Sequence, residues 1–194
     1  ARSAHLSVDS YHVDLDLTTG AETFRAKTTV KFRSSKPGSS TFIDAVGKTM
    51  LSATLNGVAL DASAFDGESI QLPNLAEDNT LIVDLEAIYS VTGEGLHRFV
   101  DPSDSEVYLY TQFEVADARR MYACFDQPDL KATFTLSAIT PQHWEVISNN
   151  PVANTKELTD GKKSVSFTTT PVMSTYITAL VAGPYHKEFD VYNG

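Results

Sequence analysis

Cysteine is almost missing from this chain. Among 194 residues only Cys124 carries a thiol, so no internal disulfide can form. Flanked by Met121, Tyr122 and Phe125, that thiol is expected as a small buried hydrophobe rather than a nucleophile. A lone thiol suits a reducing compartment, and a cytoplasmic location is the expectation. Positive charge is short too. Against 25 Asp and Glu stand 15 Lys and Arg, for a net charge of −10. Such a surface repels phosphate backbones and anionic lipid, which argues against nucleic acid and membrane as partners. A protonated amine would instead be drawn in. No uncharged apolar run approaches the ~18 residues of a membrane span. The opening residues, Ala1-Arg2-Ser3-Ala4-His5-Leu6, lack the basic and apolar regions of a secretory signal. Fixed-period repeats and low-complexity tracts are absent. With 42% hydrophobic residues, there is ample material for a packed core.

What is present is alternation of period two. Tyr11, Val13, Leu15 and Leu17 interleave with His12, Asp14 and Asp16, the pattern of a strand with one wet face. Phe24, Ala26, Thr28, Val30 and Phe32 interleave with Arg25, Lys27, Thr29, Lys31 and Arg33, and Thr18-Thr19-Gly20 forms the connection. Further short strands are expected over 41–44, 50–55, 58–60, 69–72, 80–86, 107–110, 132–140, 144–148, 152–158, 164–169 and 176–182. Asn56-Gly57 is the favoured type I′ dipeptide and makes 50–60 a hairpin; Asp160-Gly161 marks another reversal. Only 115–124 has room for a helix, of two or three turns at most. The expected fold class is all-β: an antiparallel β-sandwich of two or more packed sheets, with at most one short helix. Residues 1–194 read as a single domain, with a Gly-, Asp- and Ser-rich break near 90–105 between sheet layers or subdomains. The stop at Asp190-Val191-Tyr192-Asn193-Gly194, directly after strand-like material, is the mark of a domain cut from a longer polypeptide.

Metal and nucleophile chemistry find little to build on. His5, His12, His97, His143 and His186 include no pair at the spacing of H-E-x-x-H. His143 beside Glu145 lacks a third ligand, so no zinc site is expected within these residues. No G-x-S-x-G elbow marks an activated Ser. Gly93-Glu94-Gly95 puts an acid where a phosphate loop needs donors. Asp14/Asp16 and Asp101/Asp104 read as a solvated strand face and a polar loop rather than as a calcium site.

Thr111-Gln112-Phe113-Glu114 stands apart. It lies at the exit of the strand over 107–110, where side chains can project beyond a sheet edge. In extended backbone Gln112 and Glu114 would point the same way. A carboxylate beside an amide offers acceptors for an ammonium group and a donor for a carbonyl. The bland alternative, favoured on composition alone, pairs Glu114 with Arg119 or Arg120 to cap the following turn. Asp117, Arg119, Arg120, Asp126, Asp129 and Lys131 alternate in sign around the turn at Pro128. They read as an ion-pair and capping network holding the Gln112–Glu114 loop in place.

At these residues the chain resembles the amino-terminal domain of the zinc aminopeptidase family, the aminopeptidase N-like metallopeptidases. The resemblance is carried in order and spacing by TQFE at 111–114, DARR at 117–120 and CFDQPDLKATF at 124–134. It continues through WEVISN at 144–149 and YITALVAG at 176–183. From about Val107 onward the likeness is specific; before that it rests on strand pattern and position. It implies a largely antiparallel, saddle-shaped β assembly packed against a thermolysin-like catalytic domain of the same polypeptide. It implies that Glu114 binds the α-ammonium of a peptide substrate and that Gln112 lines the first side-chain pocket. The family's G-x-M-E-N segment, its H-E-x-x-H, its third ligand Glu and its catalytic Tyr do not occur here. The resemblance therefore places zinc and the catalytic residues outside these 194 residues and implies that this segment alone is inactive. Some relatives in the superfamily have lost the metal ligands and act as scaffolds, which is the alternative reading. A free-standing carbohydrate- or protein-binding sandwich is a third.

Overall fold

The computed structural model describes residues 2–188 and 190–191; Tyr192–Gly194, where the chain stops, lie outside the described residues. The fold is all-β. Among the described residues fourteen strands form three sheets, and the helical content is four single-turn 3-10 segments of three residues each.

The largest sheet has eight strands in the order β12-β13-β10-β1-β2-β7-β4-β5. They are β1 (Leu6–Asp16), β2 (Thr23–Ser34), β4 (Thr49–Leu55), β5 (Val58–Ala59), β7 (Asp78–Ile88), β10 (Thr133–Pro141), β12 (Val152–Glu157) and β13 (Lys162–Phe167). Alternation decides which side faces inward. Tyr11, Val13, Leu15, Phe24, Ala26, Val30, Phe32, Leu81, Val83 and Leu85 are buried, while His12, Arg25, Lys27, Lys31, Arg33 and Thr80 on the other face are exposed. The wet face is a lattice of opposite charges, with Arg25 against Asp84, Lys48 against Glu86 and Arg33 against Asp9. β1 and β10 pair in parallel, the exception in an otherwise antiparallel sheet. The connection between them is long enough to run through the other two sheets, so a crossover replaces a hairpin.

The second sheet has the order β11-β14-β9-β8, from β8 (Gly95–Val100), β9 (Val107–Gln112), β11 (Glu145–Ser148) and β14 (Leu180–Gly183). Leu96, Leu109, Val146 and Ala182 face the core. β3 (Thr41–Asp44) and β6 (Ser69–Leu72) form a two-stranded sheet that is fastened to the rest through an Asp44–Cys124 bridge. Between the sheets lies an aromatic core. Tyr11 stacks on Phe134 at 4.8 Å, and Phe32 meets Phe125 at 5.1 Å. Tyr122 meets Tyr11, Phe113 and Phe134 edge-on. Burial pushes the Tyr11 and Tyr122 phenols and the Cys124 thiol well above their ordinary values, so all three are neutral.

Three local expectations need correction. β8 forms inside 90–105, for which no strand was expected. Its residues Leu96-His97-Arg98-Phe99 have poor alternation, and the strand forms because β9 offers it a full ladder. No helix forms over 115–124; only Ala118–Arg120 makes a 3-10 turn. Met121, Tyr122, Ala123, Cys124 and Phe125 are all buried, and no helix can bury five consecutive residues on one stripe. Over 176–182 the chain makes a 3-10 turn at Thr175–Ile177 before β14 begins. Among the described residues no helix is long and apolar enough to cross a membrane.

Candidate functional site

Strand β9 delivers the site. Leu109 is buried on its inner side, where the Thr111 hydroxyl also accepts the Leu180 N–H at 2.9 Å. Tyr108, Tyr110 and Gln112 lie on the outer face, opposite Phe99, His97 and Gly95 of β8. β9 ends at Gln112, and Phe113 then plunges into the core, 3% exposed and edge-on to Tyr122. Gln112 and Glu114 are both exposed on either side of this anchor. Burying a Phe is worth several kcal/mol (about 3–5 on truncation), so the two polar side chains are held outward by the one between them.

The Glu114 carboxylate makes no ion pair among the described residues. Its two nearest arginines in sequence are engaged elsewhere. Arg120 Nε binds the Asp117 carboxylate at 2.7 Å. Arg119 donates from Nε to the Ala116 carbonyl at 2.9 Å and faces the carboxylates of Asp44 and Asp126 at 3.6 and 3.9 Å. The turn-capping alternative for Glu114 is therefore not what forms. Gln112 does something the sequence did not suggest. Its Oε1 accepts the Glu114 backbone N–H at 3.1 Å, pinning the start of the turn, while its amide nitrogen bonds to no described residue.

Behind the loop the charged residues form two groups rather than one network. Asp117 and Arg120 make the first. Arg119 and Asp126 make the second, extended by residues far away in sequence. Thr175 donates from Oγ1 to Asp126 at 2.7 Å, and Asp44 accepts the Asp126 N–H at 3.1 Å. Arg2 reaches Asp44 at 2.7 Å and lies over the rings of Phe42 and Phe125. Burial pushes the Asp126 carboxyl above the usual range, while Thr175 and Arg119 pull it back. Pro128 sits in a turn closed by Leu130 N–H to Gln127 O at 3.0 Å, and its carbonyl accepts from Ser174 at 2.7 Å. Asp129 meets Ser3 and accepts from Gln127 at 2.7 Å, which together hold its carboxyl below the ordinary value, and Lys131 is exposed and unpaired among the described residues. Sequence reasoning missed Asp44, Arg2 and Thr175. No local pattern could have found them, because each acts across a long stretch of chain.

Beside this loop the outer face of the four-stranded sheet holds an open groove of about 500 Å³, lined by His97, Phe99, Asp101, Tyr108, Tyr110 and Tyr185. Phe99 and Tyr110 are 46% and 40% exposed. The Tyr108 hydroxyl donates to Asp104 at 2.8 Å, and that bond pushes its phenol up to about 12. The histidines elsewhere make separate two-residue pairs: His12 with Asp14, His143 with Glu106 and His186 with Glu188. Among the described residues no three His, Cys, Asp or Glu side chains converge, so these residues do not fit a metal ion.

Comparison with known proteins adds an independent line. The profile of the peptidase M1 N-terminal domain matches residues 7–177. An aminopeptidase N of Streptomyces lividans is 50% identical over 98% of this chain and 22% of its own length. A leucyl aminopeptidase of Saccharolobus solfataricus is 30% identical over 94% of this chain and 22% of its own length. An aminopeptidase N of Acetobacter pasteurianus is 43% identical over 54% of this chain and 30% of its own. The chain thus spans between a fifth and a third of the length of these relatives.

Proposed function

The chain belongs to the peptidase M1 family, whose N-terminal domain it matches, and from that premise we propose that it is the substrate-contacting domain of a zinc-dependent aminopeptidase. The parent enzyme releases N-terminal residues from peptides, and residues 1–194 form one domain of it. The observation that carries this reading is Glu114. It is an exposed carboxylate on a short loop at the end of β9, unpaired although two guanidinium groups lie within six residues of it in sequence. A protonated α-amine is the partner such a carboxylate suits, and three N–H donors can meet its two oxygens. The charge-assisted bond contributes about 1.5–3 kcal/mol. A substrate lacking the free amine forfeits it, which makes the enzyme an exopeptidase by requirement of charge.

Gln112 has its carbonyl oxygen committed to the Glu114 N–H, so its amide N–H groups face outward toward the bound residue, lining the first side-chain pocket. Asp117, Arg119, Arg120, Asp126 and Pro128 hold the loop. In this reading zinc and the groups that act on the scissile bond come from elsewhere in the parent enzyme. Zinc polarises the carbonyl or activates water when bound. The contribution of this chain is to bind the amine and orient the peptide. The catalytic domain of the same polypeptide packs beside the loop, and the exposed aromatic face around Tyr110 and Phe99 supports a covering partner there. A scaffold without activity would have no use for an unpaired acid at this place.

Glu114→Ala in the complete enzyme tests the reading. KM for free-amine aminoacyl substrates should rise roughly ten- to a hundred-fold, with a smaller change in kcat and an unchanged thermal midpoint. An unaltered KM in a folded variant removes Glu114 from the site.

A further inference from the structure

We propose that the Asp44–Arg119 pair is the positioning clamp of the loop presenting Glu114, a role that rests on the amine-binding reading above. On the strand side of Glu114 the loop is held by the buried Phe113 and by the Gln112 amide, which accepts the Glu114 N–H; the far side needs a tie of its own. The tie comes from β3. Asp44 is the last residue of that strand, and its side chain is 9% exposed. Its main chain pairs in both directions with Cys124, at 3.0 and 2.9 Å, and Val46 N–H reaches the Arg119 carbonyl at 2.8 Å. Both ends of the 119–124 segment are thus laced to one short stretch of chain.

The side chains continue that lacing toward Glu114. The Asp44 carboxylate lies 3.6 Å from Arg119 Nη1, and Arg119 Nε donates to the Ala116 carbonyl at 2.9 Å. Because the guanidinium is planar and rigid, the direction of Nη1 dictates the direction of Nε. A carboxylate on β3 therefore sets the position of a carbonyl two residues beyond Glu114. The Asp126 carboxylate accepts the Arg119 backbone N–H at 3.2 Å, which holds the main chain at that residue. Arg2 donates to Asp44 Oδ2 at 2.7 Å, so the carboxylate has a second cationic partner beside Arg119. Asp44 itself is buried, with Oδ2 bonded to Arg2 and to the Asp126 N–H and Oδ1 facing Arg119, so it positions and does not meet substrate. Amine recognition needs this, since misplacing a binding group by about an ångström can forfeit most of its effect.

The test uses the complete enzyme with Asp44→Asn, Arg119→Gln, the double variant and Glu114→Ala. Arg119 is 38% exposed, so its replacement spares the fold if Asp44→Asn does not. Native-state hydrogen exchange at the Asp117 and Arg120 amides should accelerate about tenfold in Arg119→Gln, with the amides of β7 unchanged. KM for a free-amine aminoacyl substrate should rise by about tenfold, kcat should stay within about twofold, and the double variant should be no worse than the larger single one. A support role for stability alone would lower the thermal midpoint and leave KM and the loop amides unmoved, which overturns the clamp. Glu114→Ala separates the two ideas. If it leaves KM unchanged, the amine-binding reading falls while the exchange data still judge the clamp. If it raises KM and Arg119→Gln does not, the clamp alone falls.

Discussion

At Asp126 two demands on one carboxylate oppose each other. Its side chain is 1% exposed, and burial raises its pKa above the ordinary range; the Thr175 hydroxyl and Arg119 act in the opposite direction and do not fully compensate. The folded chain therefore holds the Asp126 proton more tightly than the unfolded chain does. That proton supports the fold below the ordinary carboxylate range, and its support is lost as pH rises through the raised value. Asp126→Asn cannot ionise. Between about pH 4 and about pH 7 its thermal midpoint should move upward relative to that of the wild type. A gap between the two proteins that does not change with pH would contradict this account. The charges in this region were legible in sequence because opposite signs crowd around Pro128. Their partners were not, since Asp44 and Thr175 reach Asp126 only through the folded backbone.

At the scale of elements, Gly95 shows how a loop residue fixes a strand's neighbour. It opens β8 directly opposite Gln112, with φ +71°, and a Cβ placed there would sit 2.9 Å from Arg120 Cβ. Gly95→Ala should destabilise the fold by about 1–3 kcal/mol, from the left-handed backbone and the displaced Arg120. A denaturant midpoint equal to that of the wild type would refute it. Hairpins were readable at this scale. Asn56 and Gly57 both have positive φ, as a type I′ turn requires. The strands of the large sheet were readable as well, because one face is wet and the other dry. β8 was not readable: its pattern is weak, and pairing with β9 decides it. The 115–124 segment, the one stretch with room for a helix, forms none because Met121–Phe125 are buried in succession.

The whole molecule has two unlike outer faces. On the eight-stranded sheet, charged pairs such as Arg25–Asp84 leave a surface content in water. On the four-stranded sheet, Phe99, Tyr110 and Ile147 stand exposed beside the Glu114 loop. Phe99→Lys in this chain should change its stability by no more than about 0.5 kcal/mol, because Phe99 is 46% exposed and lies outside the buried core. In the complete enzyme the same change should lower the thermal midpoint by several degrees, roughly the effect of 1 kcal/mol or more. Equal losses in both proteins, or none in either, would mean that this face is not where the rest of the enzyme packs.

Period-two alternation, turn dipeptides and the order of the motifs were enough to determine an all-β chain of this family and to single out Gln112 and Glu114. Such signals are local: they depend on a residue's near neighbours and on which side of a strand it occupies. Only the tertiary structure decided that β1 and β10 run in parallel, that Glu114 stays unpaired, and that Asp44 reaches across to Arg119. Those outcomes turn on distances between residues far apart along the chain, and only the packed sheets bring them together.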